Sequence, residues 1–231
     1  MKKNNILISG TSTGLGKFLV KKFNAISFNR KSRISKYQNR NWSLIIHCGF
    51  YNGESIQKTI NCIKLSYELS LLKSKKRIFI SSSLIYKKKD KSLYNQSKRI
   101  CELFFKKKND YIIRLGSIIG KEMRENSIYK IIFKAKPKIT LTQNSINSFV
   151  SYDEVFELIK LFIKQDKIKC TDFYRTDFKK IGSIAKKLGK KVQYGSYHFN
   201  CAKNIRTKKI DFYKLIKKKN SIDIIKSLAN R

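Results

Sequence analysis

Residues 6–20 read ILISGTSTGLGKFLV. A short β-prone run, Ile6 to Ser9, stops at a cluster of glycines, Gly10, Gly14 and Gly16. The chain resumes with Phe18, Leu19, Val20 and Phe23 at helical spacing over Lys17 to Phe23. This is a β-turn-α opening. Glycines let the backbone reverse sharply and let an anion approach the helix N-terminus, where unpaired N–H groups and the helix dipole favour negative charge. A pyrophosphate is the group such a first βα junction is suited to cradle. Thr11, Ser12 and Thr13 offer hydroxyl donors to it, and Leu15 completes the turn. Glycine clusters also make purely structural turns, and only the pattern of the downstream chain separates the two cases.

Strands and helices alternate downstream. Ala25 to Phe28 and Ser43 to Cys48 (SLIIHC) read as strands, Ile56 to Leu72 as a long amphipathic helix and Arg77 to Ser81 (RIFIS) as a strand. A helix from Tyr94 to Lys107 and a strand from Tyr111 to Leu115 (YIIRL) come next. This alternation predicts parallel βαβ units, hence an α/β fold with a Rossmann-type doubly wound parallel sheet.

The second half is less regular: a helix over Ser127 to Ala135, a short strand over Lys138 to Thr142, and a helix over Tyr152 to Lys164 with Asp153 as its N-cap. Another helix, Ile181 to Leu188, is closed by Gly189. After Asn200 the chain is basic and reads as peripheral helix. No linker rich in Pro, Gly or Ser divides it. Residues 1–231 are therefore expected to form one domain, with 121–231 supplying a small C-terminal substrate lobe and basic terminal helices.

Composition narrows the class. The 231 residues are 41% hydrophobic and 12% aromatic, enough to bury a core. No apolar run approaches the roughly 18 residues needed to span a bilayer, so no membrane span is expected and the reading is cytoplasmic. Cys48, Cys62, Cys101, Cys170 and Cys201 are odd in number and contain no C-x-x-C pair, which argues for reduced, mostly buried thiols rather than a disulfide framework or a metal site.

The 53 Lys and Arg against 15 Asp and Glu give a formal net charge of +38, a field that attracts polyanions. The basic residues are spread along the whole chain, however, and the excess also fits a coding bias toward Lys, Ile, Asn and Ser. Charge this dispersed points to no specific nucleic-acid partner.

The end of the second strand discriminates cofactors. An acidic residue there would hold the ribose 2′-hydroxyl of NAD; this chain has SFNRKSR, with Asn29, Arg30, Lys31 and Arg33 and no carboxylate. That favours a 2′-phosphate and hence NADP, with NAD possible.

Several segments in order resemble the short-chain dehydrogenase/reductase superfamily, and within it the NAD(P)-dependent epimerase/dehydratase branch that acts on nucleotide sugars. ISGTSTGLG resembles the cofactor turn, and SLIIHCGF the strand whose end, Cys48 and Gly49 here, lines the cofactor. RIFISSSLIY is similar to the strand carrying the catalytic serine, YNQSK at 94–98 to the Y-x-x-x-K motif, YIIRLGSIIG to the strand and loop beside the nicotinamide, and FVSYDEV at 149–155 to a short strand and Asp-led helix. The resemblance runs from about residue 5 to 160. It implies an NAD(P)-dependent enzyme on a nucleotide sugar or related small carbonyl or hydroxyl substrate, and a possible homodimer through the helices Ile56 to Leu72 and Tyr94 to Lys107. Departures are visible too. Only 13 or 14 residues separate the second and third strands, Leu115 stands where the branch often has proline, and the usual acidic residue contacting adenine has no clear counterpart. Asn61 is a candidate for the family's helix asparagine.

The chemistry such residues can perform is explicit. Moving hydride between a carbinol or carbonyl carbon and nicotinamide needs a group to take or give the hydroxyl proton. Tyr94 can do so if its phenol, near pKa 10 when unperturbed, is acidified. Lys98 lies one helical turn on, where its ammonium would favour phenolate and could hydrogen-bond the cofactor ribose. Counting back from Tyr86, Ser82 matches the family's serine best, with Ser83 second. His47, inside an apolar strand, reads as a packed side chain, and His198 has no partner spacing. Two other readings stay open: a noncatalytic dinucleotide-binding protein, and, on charge alone, a nucleic-acid binder.

Overall fold

In the computed structural model the glycine turn joins β1 (Ile6–Ser9) to α1 (Gly14–Phe23), followed by β2 (Ile26–Phe28), the single-turn α2 (Ser35–Gln38) and β3 (Trp42–His47). Next come α3 (Ile56–Leu71), β4 (Ser74–Ser82), a 3-10 turn (Ser83–Tyr86), α4 (Leu93–Phe104) and β5 (Asp110–Leu115). The second half contains β6 (Ser117–Ile119), α5 (Ser127–Phe133), β7 (Ile146–Asn147), β8 (Phe149–Ser151) and α6 (Tyr152–Lys164). It ends with β9 (Cys170–Phe173), β10 (Lys179–Lys180), α7 (Ile181–Lys187) and α8 (Ser221–Ala229). The structure describes residues 5–29, 32–51, 53–86, 91–164, 170–173, 178–201 and 220–230.

Six strands pair in parallel in the order β2-β1-β3-β4-β5-β9, the doubly wound Rossmann-type arrangement. The connection after β1 runs to one side and that after β3 to the other, so a crevice opens at the carboxyl ends of these two strands. Between β2 and β3 there is room only for α2, which leaves β2 at the sheet edge; a further parallel strand would need a crossover of a dozen or more residues.

Strand side chains alternate between faces, as a pleated backbone requires. Ile8, Ile46, Ile80 and Ile113 pack with Leu19 of α1 and Val155 and Ile159 of α6; Leu7 and Ile45 pack with Leu69 and Leu72; Phe79 and Ile112 pack with Cys101 and Phe105. Both faces are covered, which is why the strands are continuous apolar runs in the sequence. At the opposite end of the sheet from the crevice, Arg77 Nε donates to Asp110 Oδ1 at 2.6 Å, and its Nη1 donates to the Ser70 and Leu72 carbonyls, so this buried pair is neutralised and hydrogen-bonded in place.

The structure departs from the sequence expectations at several elements. α4 stops at Phe104 rather than Lys107, because Phe105 turns inward to stack on Phe79 with centroids 5.0 Å apart and the Lys107 N–H donates to the Asp110 carboxylate at 2.9 Å. Lys138 to Thr142 is no continuous strand; it makes isolated bridges from Lys138 to Gln193 and from Leu141 to Tyr197. β9, which adds the sixth strand beside β5, had no strand signal.

The N-cap of α6 is Ser151, not Asp153. The Glu154 N–H donates to Ser151 Oγ at 3.2 Å, and Glu154 Oε2 accepts from the Ser151 N–H at 2.8 Å, a reciprocal capping box. α8 is not peripheral: Ile225 and Leu228 join the main core. No helix among the described residues is long and apolar enough to cross a membrane.

Candidate active site

The glycine turn is built from backbone contacts that only glycine permits. Gly10 (φ +75°) and Gly14 (φ +62°) take left-handed conformations. A Cβ on Gly10 would lie 2.2 Å from the Gly49 backbone, and one on Gly16 would lie 2.2 Å from the Gly10 carbonyl oxygen. The end of β1 is thereby pressed against the end of β3 at the reversal point of the sheet. α1 starts at Gly14 with an extended N-cap, Thr13, whose side chain makes no cap hydrogen bond, and with no acidic residue in the first turn. Its leading N–H groups are thus directed at the crevice without a side-chain acceptor, the arrangement that suits an anion.

Two cavities flank this turn. The first, of about 370 Å³, is lined among others by Gly10, Thr13, Gly14, Leu15, Gly16, Cys48, Ser81, Tyr94, Lys98 and Tyr152. The second, of about 670 Å³, is lined by Ser12, Asn29 and Gly49 together with Phe28, Ile34, Leu65 and Glu68. Gly10, Thr13, Phe50 and Arg124 border both. Of the turn's hydroxyls, that of Thr11 faces β2 instead, bonding Ser27 Oγ and reaching the Phe28 carbonyl. Arg30 and Lys31 lie outside the described residues.

Tyr94, at the start of α4, is partly buried, and the Ser82 side chain acts on its phenol. Ser82 closes β4, and its Oγ accepts from the Leu84 N–H at 3.2 Å. Lys98 is 3% exposed; its Nζ donates to the Ile80 carbonyl at 2.7 Å and lies 4.1 Å from the Phe50 ring centroid and 4.6 Å from that of Phe79. The three residues are brought together across β4 and α4. Ser81, the neighbour of Ser82, lines the first cavity with a buried Oγ that has no hydrogen-bond partner.

The electrostatics correct one expectation. Burial pushes the Tyr94 phenol up, against the opposing effects of the Ser82 hydrogen bond and the Arg124 charge. Arg124 is a cation whose charge opposes that rise; Lys98 Nζ is turned toward the Ile80 carbonyl and the aromatic rings, 5.9 Å from the Tyr94 ring centroid. Burial also lowers Lys98 to about 8, raises Cys48 to about 12 and, with help from the Lys98 charge, lowers His47 to about 3. His47 is neutral, held between Ser9 Oγ at 2.5 Å and Ser66 Oγ at 2.8 Å, a packed side chain.

Some site residues were invisible in the sequence. Arg124 follows β6 in a loop shaped by Glu122 (φ 58°), which pairs with Lys17 at 2.6 Å; Arg124 Nη1 donates to the Phe50 carbonyl at 3.0 Å. Glu68 reaches the second cavity from α3, supplying a carboxylate where the strand end has none. Both depend on contacts between distant segments, and in a chain so rich in arginine and lysine no local signal marked Arg124. Asn61 is exposed on α3 and accepts from Gln57 Nε2, away from the site.

No family model matches the chain, and no curated protein matches it by sequence. Solved structures do share its fold. It is similar to MoeE5, solved with UDP-glucose and NAD, at 12% identity and TM-score 0.77 over 97% of each chain. It is similar to dTDP-4-dehydrorhamnose reductase of Bacillus anthracis, solved with NADP, at 16% identity and TM-score 0.77 over 99% of this chain and 98% of the other. UDP-N-acetylglucosamine 4-epimerase of Bacillus cereus aligns at 14% identity and TM-score 0.68 over 97% and 94%.

Proposed function

We propose that this protein is an NAD(P)-dependent oxidoreductase or epimerase that acts on a nucleotide sugar or related small substrate through Ser82, Tyr94 and Lys98. One observation carries the reading: Tyr94, whose phenol the Ser82 side chain acts on, and the buried Lys98 line one cavity that is also walled by the glycine turn. The fold shared with MoeE5, the reductase and the epimerase supports it, as do the NAD of the MoeE5 structure and the NADP of the reductase structure.

The residues present fit a dinucleotide. Gly10, Gly14 and Gly16 with Ser12 and Thr13 would hold the pyrophosphate at the α1 N-terminus. Phe28, Asn29, Gly49, Leu65 and Glu68 would receive the adenosine side, and the orphan Ser81 hydroxyl, Cys48 and Lys98 the nicotinamide side. Asn29 in place of a carboxylate at the end of β2 favours NADP, and the Glu68 carboxylate on the same cavity keeps NAD in the test. When bound, the nicotinamide gives or takes the hydride.

The chain's own residues would manage the proton. Tyr94, kept as the protonated phenol by burial, suits donation to a substrate oxygen as that oxygen gains charge. Ser82 would hold the same oxygen against Tyr94, and the Arg124 charge would offset part of the phenolate's desolvation. Lys98 keeps a fixed ammonium beneath the site through the Ile80 carbonyl.

A homodimer belongs to the same proposal: Ile56, Ile60, Tyr67 and Leu71 of α3 and Ile100 and Leu103 of α4 are exposed apolar side chains on two adjacent helices. The test is thermal stabilisation by NADPH, NADH and a panel of sugar nucleotides, followed by turnover of any that bind. Tyr94→Phe is expected to keep the cofactor-induced shift and lose about 100-fold or more in turnover. If no dinucleotide raises the melting temperature, the proposal fails; if Tyr94→Phe turns over normally, the mechanism fails.

A further inference from the structure

The basic residues are spread along the whole chain, but the acidic residues are not. Between Asn126 and Tyr152, and again between Phe178 and Cys201, there are ten lysines and neither an arginine nor a carboxylate. These two segments are each other's partners. Bridges run from Lys138 to Gln193, Leu141 to Tyr197 and Ile146 to Asn200, β10 pairs with β7, and the Lys190 ammonium reaches the Lys134 carbonyl. The result is one lobe with lysine as its sole charged residue type in the segments named. Lys134, Lys136, Lys138, Lys186, Lys187 and Lys191 are exposed on it.

The same lobe displays aromatic rings. Among the described residues eight large apolar side chains are exposed; six are those of α3 and α4, and the other two, Phe133 (44% exposed) and Tyr197 (53%), are both here. Backbone bonds from the Tyr197 N–H to the Thr140 carbonyl, and from the Thr142 N–H to the Tyr197 carbonyl, hold Tyr197 on a fixed backbone. Exposed neutral hydrogen-bonding side chains, Thr140, Gln143 and Gln193, lie along the same paired strips.

We infer that this lobe binds single-stranded nucleic acid without sequence preference. Lysines neutralise phosphates as point charges, and half-exposed rings can stack unpaired bases, the two elements of sequence-tolerant single-strand recognition. The lack of arginine removes the bidentate fork that reads guanine, so little base selectivity is expected. An anionic bilayer is the less suitable partner, because the lobe's helices, α5 and α7, turn their apolar residues Ile128, Ile131, Ile132, Ile181 and Ile184 into the core rather than outward. The inference does not depend on the proposed enzyme activity.

The test measures anisotropy of labelled single-stranded RNA and DNA with the full chain across a salt series. A variant with Lys186, Lys187, Lys190 and Lys191 changed to Gln is compared with one neutralised at Lys73, Lys75, Lys106 and Lys107, at the other end of the sheet. The lobe variant is expected to lose at least about tenfold in affinity and to flatten the salt slope by roughly 2 to 3, while the control stays within about twofold. Tyr197→Ala and Phe133→Ala are each expected to weaken binding about fivefold or more and Tyr197→Phe to preserve it. Equal losses in the two lysine variants would reduce the effect to net charge and overturn the inference. So would heparin binding with the same affinity and the same lysine dependence, or anionic vesicles binding through the lobe where oligonucleotides do not. If both ring variants bind normally, the stacking argument is overturned.

Discussion

Replacing Lys98 with methionine is expected to stabilise the fold near neutral pH and to weaken it in alkali. The ammonium is 3% exposed, and its burial holds the folded pKa at about 8 against an ordinary 10.5. That gap corresponds to about 3 kcal/mol for carrying the charge into the fold. Because the folded value is the lower one, deprotonation favours the folded state. The stability this group contributes is therefore fully present above about pH 10.5 and is lost as pH falls through about 8. Methionine keeps an unbranched stem between Phe50 and Phe79 and removes the charge, but it gives up the bond to the Ile80 carbonyl, a loss of about 1 kcal/mol. The net expectation is about 2 kcal/mol of added stability near pH 7, changing sign to about 1 kcal/mol of lost stability above about pH 10.5. Urea unfolding of both proteins at three pH values across this window, without cofactor, reads the difference directly. A stability difference that stays constant with pH would refute the reasoning, since it would mean the buried amine is not charged near neutrality or that its charge is not what burial penalises. The same variant is expected to lose turnover, so the site would hold a charge at the expense of fold stability.

Other perturbations probe different parts of the structure. Gly10→Ala places a Cβ 2.2 Å from the Gly49 backbone at a φ of +75°, so it is expected to cost more than about 3 kcal/mol and to abolish dinucleotide-induced stabilisation, as read by melting temperature. Ser151→Ala breaks the α6 capping box and is expected to cost about 1 kcal/mol in denaturant unfolding, whereas Asp153→Ala, at an exposed position, should change stability by less than about 0.5 kcal/mol. Leu103→Glu puts a charge on the exposed face of α4, where Leu103 is 56% exposed; sedimentation should show a dimer for the unmodified chain and a monomer for the variant, and an unmodified chain that sediments as a monomer removes the dimer from the proposal.

The α/β alternation was legible because it is written in local periodicity. A parallel sheet covered on both faces needs apolar strands such as SLIIH and RIFIS, separated by helices with one apolar face, and both patterns lie within windows of a dozen residues. The glycine turn was legible for a related reason: its spacing reports backbone conformations that few other residues adopt. Ser82, Tyr94 and Lys98 were legible as a pattern, yet the task of each side chain was not. The expected effect of Lys98 on the phenol rested on helical spacing; the folded environment instead gives Lys98 to a carbonyl and two rings, and the Arg124 charge acts on Tyr94.

The sequence alone determined the alternation of strands and helices over the first half of the chain and the place of the glycine turn. Tertiary structure decided everything that depends on distance between remote segments. It brought Arg124 and Glu68 to the cavities, closed β9 onto the sheet, fixed Ser151 as the cap of α6, and paired two segments that carry lysines but no carboxylate. The physical reason is that hydrophobic periodicity is a one-dimensional property of the chain, whereas burial, charge proximity and hydrogen-bond pairing are set by neighbours that the chain brings together only when it folds.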